Sequence, residues 1–119
     1  MVRIFLIAFL FFLQSLCGIG QSQHTFQVQQ FNTENGLPSN GIKGLQWDES
    51  TGFLWIATEA GIVRFNGQEF KTYSNKDEPH ITNERILFLV RNNLGHIYTA
   101  DNTGNIFRID KNKLSFLDS

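Results

Sequence analysis

The sequence predicts an all-β chain built from a repeated four-stranded unit, and three observations support this. Apolar runs after residue 24 are short and end at Gly, Asn, Asp, Ser or Pro, which is typical of strands joined by tight turns. No apolar spacing of the helical period lasts for ten residues in this part of the chain. The second half also repeats the first at an offset near 43 residues.

Nine short strands are expected between residues 25 and 117. They are Thr25–Phe31, Ile42–Trp47, Phe53–Thr58, Ile62–Phe65, Phe70–Tyr73, Arg85–Val90, His96–Ala100, Asn105–Ile109 and Lys113–Leu117. Each is an alternating or continuously apolar run bounded by turn residues. The last eight divide into two units of four strands, residues 42–73 and 85–117.

The repeat is clearest where the second and third strands of each unit meet. Gly52 through Thr58 matches Gly95 through Asp101, and one inserted residue, Asn105, then moves the offset from 43 to 44. Glycine suits the turns, where a positive φ is costly for other residues, and a large ring suits the place where units pack. The repeated or motif positions are Gly36, Leu37, Gly52, Trp55, Thr58, Gly61, Gly95, Tyr98 and Gly104.

A period of 40 to 50 residues with four antiparallel strands is typical of β-propeller blades. The two units are therefore interpreted as blades at residues 42–73 and 85–117. Thr25–Phe31 precedes them and is expected to be the outer strand of the last blade, where it closes the ring. Because propellers need about four to eight blades, the chain is expected to be the N-terminal part of a larger propeller.

The first residues predict export. One cation, Arg3, is followed by the apolar run 4–13, which is too short to span a bilayer. Residues 1–20 are interpreted as a signal peptide cleaved after Gly20, with Ser22 as a second cleavage point and an uncleaved anchor as the alternative. The bulky Leu16 before Cys17 disfavours lipidation. The chain is therefore expected to be exported, and a periplasmic location is what the family resemblance given below implies.

Charge and cysteine content exclude several classes of partner from the prediction. The chain has 10 Lys and Arg against 11 Asp and Glu, with no run of either sign, so neither nucleic acid nor an anionic membrane surface is expected to bind it. Cleavage after Gly20 would remove the single cysteine, so no disulfide is expected.

The histidines give no metal-ligand pattern, and no cofactor is expected. His24, His80 and His96 lie far apart in the sequence, whereas zinc ligands occur in closely spaced pairs. A nucleophile motif of the Gly-x-Ser-x-Gly type is also missing from the sequence.

Two groups of acidic and amide residues are interpreted as turns. Asp48 and Glu49 are adjacent, so on an extended chain they point to opposite sides and cannot act together as acid and base. Residues 101–105 (DNTGN) lack the glutamate that ends a calcium loop. No catalytic residue is therefore expected.

Two loops are the candidate ligand-binding regions. Residues 35–40 and 75–83 each connect an outer strand to the next inner strand, so they would lie on one rim of the ring. The candidate residues are Asn35, Ser39, Asn40, Asn75, His80 and Asn83. A plain connecting role for both loops remains open. Trp55 in the middle of an apolar strand is interpreted as core rather than as a sugar-stacking ring.

The first unit resembles the repeat of the two-component regulator propeller family. The matching residues, in order, are Phe31, Gly36-Leu37-Pro38-Ser39-Asn40, Asp48, Gly52, Leu54-Trp55-Ile56-Ala57-Thr58, Gly61-Ile62 and Phe65-Asn66-Gly67. Ala57 replaces a glycine of the pattern and Ile62 replaces a leucine. The second unit matches less well, since Tyr98 stands for the tryptophan and no Gly-Leu-Pro precedes it.

This resemblance implies a non-catalytic sensor. Proteins of the family resemble periplasmic sensors in which propellers and a membrane helix precede a histidine kinase or a transcriptional output, and many sense glycans. The implied partners are a small-molecule or glycan ligand and the remaining blades and domains, with membrane contact only through a downstream helix. The alternatives are an exported propeller enzyme of the lyase or glycosidase type and a secreted scaffold. The inner strands 42–47 and 85–90 lack the inward acids or histidines that such an enzyme would show.

Overall fold

The computed structural model describes residues 20–119, which form two four-stranded antiparallel sheets. The first sheet contains β1 (Ile42–Asp48), β2 (Phe53–Thr58), β3 (Gly61–Phe65) and β4 (Phe70–Tyr73). The second contains β5 (Ile86–Arg91), β6 (Ile97–Asp101), β7 (Ile106–Asp110) and β8 (Lys113–Asp118). One 3₁₀ turn, Thr33–Asn35, precedes the sheets. The predicted signal peptide is residues 1–20, and only its last residue, Gly20, belongs to the described part of the chain.

Each sheet is a meander in which sequential strands pair, because only tight turns separate them. The all-β prediction is confirmed, and eight of the predicted strands agree with the structure to within one residue at each end. At the turn between β2 and β3, Gly61 has φ +134, and a Cβ there would lie 3.0 Å from Thr72 Cγ2. The glycine is therefore required by both conformation and space.

The ninth predicted strand, Thr25–Phe31, is not formed. Residues 20–32 have no strand structure, and the apolar side chains of Phe26 and Val28 are 92% and 96% exposed. The alternating pattern is that of a strand, but a strand is stable only when it pairs with a sheet, and this segment pairs with neither.

Strand pairing corrects one alignment of the repeat. Gly44 pairs with Ala57, and Phe88 pairs with Ala100, so β1 and β5 match at an offset of 44 residues. The sequence comparison aligned Ile42–Trp47 with Arg85–Val90, at 43. The extra residue in the turn between β1 and β2 accounts for the difference. A shift of one residue moves side chains to the opposite face, so Leu45 corresponds to Leu89.

The two faces of each sheet are distinguished by strand register, since opposed residues share a face. We call the face that carries Trp55 and Ile62 in the first sheet the forward face, and the opposite one, with Val63, the rear face. The matched residues name the faces of the second sheet, so Ile106 lies on its forward face and Phe107 on its rear face. The forward face of the first sheet packs on the rear face of the second. The buried core between them contains Trp55, Ala57, Ile62, Tyr73, Ile81, Ile86, Leu89, Ile97, Phe107, Ile109 and Leu114.

The closest approach of the two sheets lies between β1 and β5. A Cβ at Gly44 would be 3.3 Å from the backbone nitrogen of Leu89. At the outer strands, the Tyr73 hydroxyl donates a 2.7 Å hydrogen bond to the Asn112 carbonyl. Contacts at both ends fix the relative orientation of the sheets.

The outer part of the rear face of the first sheet is covered by the chain that precedes β1. The ring of Phe31 lies 4.9 Å from that of Phe65 and 5.4 Å from that of Phe70. Leu37 is buried with Ile56 and Val63. The segment therefore acts as a cap over this face.

The forward face of the second sheet has no such cover within residues 20–119. Phe88, Val90 and Ile106 are 41%, 48% and 39% exposed. Tyr98 was expected to pack like Trp55, but it is only half-buried while Trp55 is fully buried. The two rings occupy matched positions, and only the first is covered by another sheet.

Candidate functional site

The first predicted ligand loop uses its polar side chains to hold its own conformation. Asn35 Oδ1 accepts from the Asn32 backbone N–H, and Asn40 Oδ1 accepts from the Thr33 backbone N–H, each at 3.0 Å. Ser39 Oγ accepts from the Gly41 backbone N–H at 2.9 Å. These contacts agree with a connecting role, in which the side chains stabilise turns.

The second predicted loop is also tied down. Asn83 Oδ1 accepts from the Arg85 N–H at 2.8 Å, whereas Asn75 is exposed. The imidazole of His80 stacks on the ring of Phe116 at 4.0 Å, and its Nδ1 lies 2.6 Å from Glu78 Oε1. The hydrogen bond to His80 is the largest influence that lowers the pKa of Glu78. This loop thus docks on β8 of the second sheet.

The two loops are a repeat that sequence comparison missed. At the offset of 44 residues, Leu37 matches Ile81, and both are buried. Ser39 matches Asn83, and each accepts a hydrogen bond from the N–H two residues later. The side chains differ in type but accept the same hydrogen bond within the turn, so the match is not visible in the residue types alone.

Glu59 lies between the ends of the two loops. Its Oε1 is 3.1 Å from Lys43 Nζ and 3.8 Å from Arg85 Nη2. The hydrogen bond from Lys43, followed by its charge, holds the pKa of Glu59 below the ordinary value. Among residues 20–119 no hydrogen bond joins the two loops directly.

A cleft of about 570 Å³ lies at the opposite edge of the sheets. Three turns form it: the β1–β2 turn of the first sheet, and the β5–β6 and β7–β8 turns of the second. The lining residues are Asp48, Glu49, Ser50, Arg91, Leu94, Gly95, His96, Ile97, Ile109, Asp110 and Lys111.

Some charged groups of the cleft are already engaged. Burial opposes ionisation of Asp48, but hydrogen bonds from Ser50 and Thr51 outweigh it and lower its pKa. Asp110 Oδ2 lies 4.0 Å from Arg108 Nη2, and Arg91 donates one 3.3 Å hydrogen bond to the Trp47 carbonyl.

The side chains of Glu49, His96 and Lys111 are free of hydrogen bonds and ion pairs to other described residues.

Lys111 also has an unusual backbone. Its φ is +54, and it is the one residue other than glycine with a positive φ between residues 20 and 119. The matched position in the first sheet is Gly67, with φ +99. Gly67 comes after β3 and Lys111 comes after β7, and each begins a two-residue hairpin loop. A lysine therefore occupies a conformation that favours glycine.

The region 101–105 is a turn, as the sequence suggested. Asp101 is fully buried, and its oxygens accept from the Thr103 N–H and hydroxyl and from the Asn105 backbone and side-chain amides, at 2.7 to 3.0 Å. Burial alone would raise the pKa of Asp101, but these hydrogen bonds lower it. The matched residue of the first sheet, Thr58, also caps its turn, but its hydroxyl donates to the Gly61 carbonyl and accepts from the Ala60 N–H.

In the described residues no group of three or more His, Cys, Asp or Glu side chains is arranged to hold a metal ion. The same part of the chain has no helix that is long and apolar enough to cross a membrane.

Sequence analysis did not identify the cleft, because three separated turns form it and each resembles an ordinary polar turn. Lys111 could have been found from the sequence at the correct offset, since Asn66-Gly67 aligns with Asp110-Lys111.

Comparison with known proteins adds no relative. A scan against protein-family models finds no match for the chain, and a search of curated proteins finds none.

Proposed function

We propose that this chain forms the first two blades of a β-propeller in an exported, non-catalytic sensor of the two-component regulator type. Its two sheets share strand order and a bulged pairing of their first two strands, and the forward face of the first packs on the rear face of the second. Successive sheets stacked in this way are the construction principle of a propeller.

The observation that carries the proposal is the uncovered forward face of the second sheet. Phe88, Val90 and Ile106 lie on it. Ile106 matches Ile62, which the first sheet buries against its neighbour, and Phe88 and Val90 match Gly44 and Gln46, which are half-buried there. An apolar face of this kind is normally covered by another element. A third blade with a similar rear face would fit it.

A binding role is favoured over catalysis by the state of the buried carboxylates. Asp101 accepts hydrogen bonds from its own turn, and so does the half-buried Asp48. Groups fixed in this way with lowered pKa values are poor proton donors near neutral pH. In the proposed mechanism, ligand binding at an edge of the ring changes how two copies of the sensor pair, and the downstream output responds.

The test uses the full-length exported protein and a panel of oligosaccharides and small metabolites. We expect one ligand to raise the melting temperature without being converted, and to change the activity of the downstream output. Product formation in the same mixtures would contradict the proposal and support the enzyme alternative. Binding without any output would support the scaffold alternative.

A further inference from the structure

We propose that the cleft between the β1–β2, β5–β6 and β7–β8 turns binds a small ligand through its carboxylate group, with Lys111 and Arg91 as the cationic contacts. This rests on the binding role proposed above and places the site on the edge opposite to the two loops predicted from the sequence.

The backbone of Lys111 is the first argument. The matched turn in the first sheet has glycine, which adopts a positive φ without strain, whereas a lysine there is destabilising. Backbone strain of this kind is concentrated at binding and catalytic sites. Lys111 lines the cleft, so a contact with a ligand would explain its presence in the turn.

The turn that carries Lys111 is held in place from the first sheet. The Tyr73 hydroxyl donates to the carbonyl of Asn112, the next residue, at 2.7 Å. The backbone of the turn is therefore held by both sheets before any ligand arrives, which reduces the entropy cost of binding.

The cleft contains three acids and two cations, so a carboxylate ligand depends on the cations that are not already engaged. Of the three acids in the cleft, Asp48 is hydrogen-bonded within its own turn and Asp110 lies near Arg108. Lys111 has no hydrogen-bond or ion-pair partner among the described residues. Arg91 donates one hydrogen bond, to the Trp47 carbonyl. A guanidinium with free donors and an ammonium are the groups that proteins use to bind carboxylates.

The other walls indicate what else the ligand carries. Ile97 and Ile109 are apolar lining residues, and Glu49 lines the cleft from the first sheet. A ligand with a short apolar surface and an ammonium or hydroxyl group facing Glu49 would match them. Amino acids and sugar acids both meet this description, and the cleft volume lies within the range of small-molecule sites.

The experiment titrates the full-length protein with leucine and with glucuronate by calorimetry, using leucinamide and glucuronamide as matched probes without a carboxylate. We expect one of the two acids to bind and its amide to bind at least about tenfold more weakly, since a charge-assisted contact is lost. The acid that binds identifies the source of the carboxylate.

Two variants test the residue. Lys111→Gly should raise the melting temperature by about 4 °C, because it relieves the strained φ, and should weaken carboxylate binding about tenfold. Lys111→Arg should keep the binding. Lys113→Ala, which removes a nearby exposed charge outside the cleft, should change neither property.

Unchanged affinity in Lys111→Gly, or no binding of either acid at 10 mM, roughly the weak limit of a specific site, would overturn the proposal. These results leave the sensor function intact if another ligand still triggers the output. Carboxylate binding without any output would instead contradict the sensor function alone.

Discussion

Matched residues in the two sheets differ in exposure according to what covers them. On the forward face, Ile62 of the first sheet is 1% exposed, whereas Ile106 of the second is 39% exposed. On the rear face the order reverses, since Leu45 of the first sheet is 56% exposed and Leu89 of the second is 7% exposed. The sheets have the same strand order and pairing. The difference shows that the neighbouring sheet, and not the local sequence, determines which apolar residues form the core.

The cap over the first sheet is a partial substitute for a neighbour. Phe31 packs on Phe65 and Phe70 near the outer strands, but Leu45 and Trp47 on the inner strand stay about half exposed. Phe31 and Leu37 therefore cover only the outer part of the rear face of the first sheet. The rear face of the second sheet is covered by the whole first sheet.

The largest expected difference is between Trp55 and Tyr98. Trp55→Ala should lower the free energy of unfolding by about 3 to 5 kcal/mol, since a fully buried large ring is removed. Tyr98→Ala should cost about 1 kcal/mol in residues 20–119, because the ring is half-buried. Chemical denaturation of residues 20–119, at a concentration low enough to keep the chain monomeric, measures both, and equal losses would contradict the comparison of the two faces.

Trp55→Phe sharpens the same prediction. Trp55 Nε1 is buried and without a hydrogen-bond partner among the described residues. The phenylalanine variant removes this unsatisfied donor while keeping most of the packing, so we expect a loss clearly smaller than that of Trp55→Ala. A loss equal to that of the alanine variant would show that the donor has a partner.

The cap gives the next largest effect. Phe31→Ala should cost about 2 kcal/mol, because the ring is partly buried between two others. Phe26→Ala is the matched control, since Phe26 is 92% exposed, and should cost less than about 0.5 kcal/mol. If both variants melt like the unaltered protein, Phe31 does not cover the first sheet.

The smallest expected effect is on the pH dependence of stability. Since hydrogen bonds lower the pKa of Asp101 below its ordinary value of 3.8, this group stabilises the fold above that pH. The stabilisation is lost as the pH falls through the lower, folded-state value. Asp101→Asn should destabilise the protein at neutral pH, because its amide would face the donating Asn105 Nδ2, and should make acid unfolding less steep. Asp118→Asn, at an exposed position, is the control, and an identical acid profile for both variants would contradict this account.

The sequence predicts the strands well, because each is a short apolar run between turn residues that the structure retains. Two features depended on information that residue types do not contain. The matching of β1 with β5 depended on the length of one turn, and Thr25–Phe31 lacks a pairing partner despite its strand-like pattern. The cleft could not be predicted, because it exists only when turns of two sheets meet.

The central claim is that the forward face of the second sheet is built to receive another sheet. The most direct measurement is sedimentation and thermal melting of residues 21–119 at several protein concentrations, with the double variant Val90→Lys and Ile106→Lys alongside. Because the exposed apolar face would associate, we predict concentration-dependent association and a broad transition for the unaltered chain, and loss of association in the variant. A sharp, concentration-independent transition of a monomer, the same in both proteins, would contradict the claim.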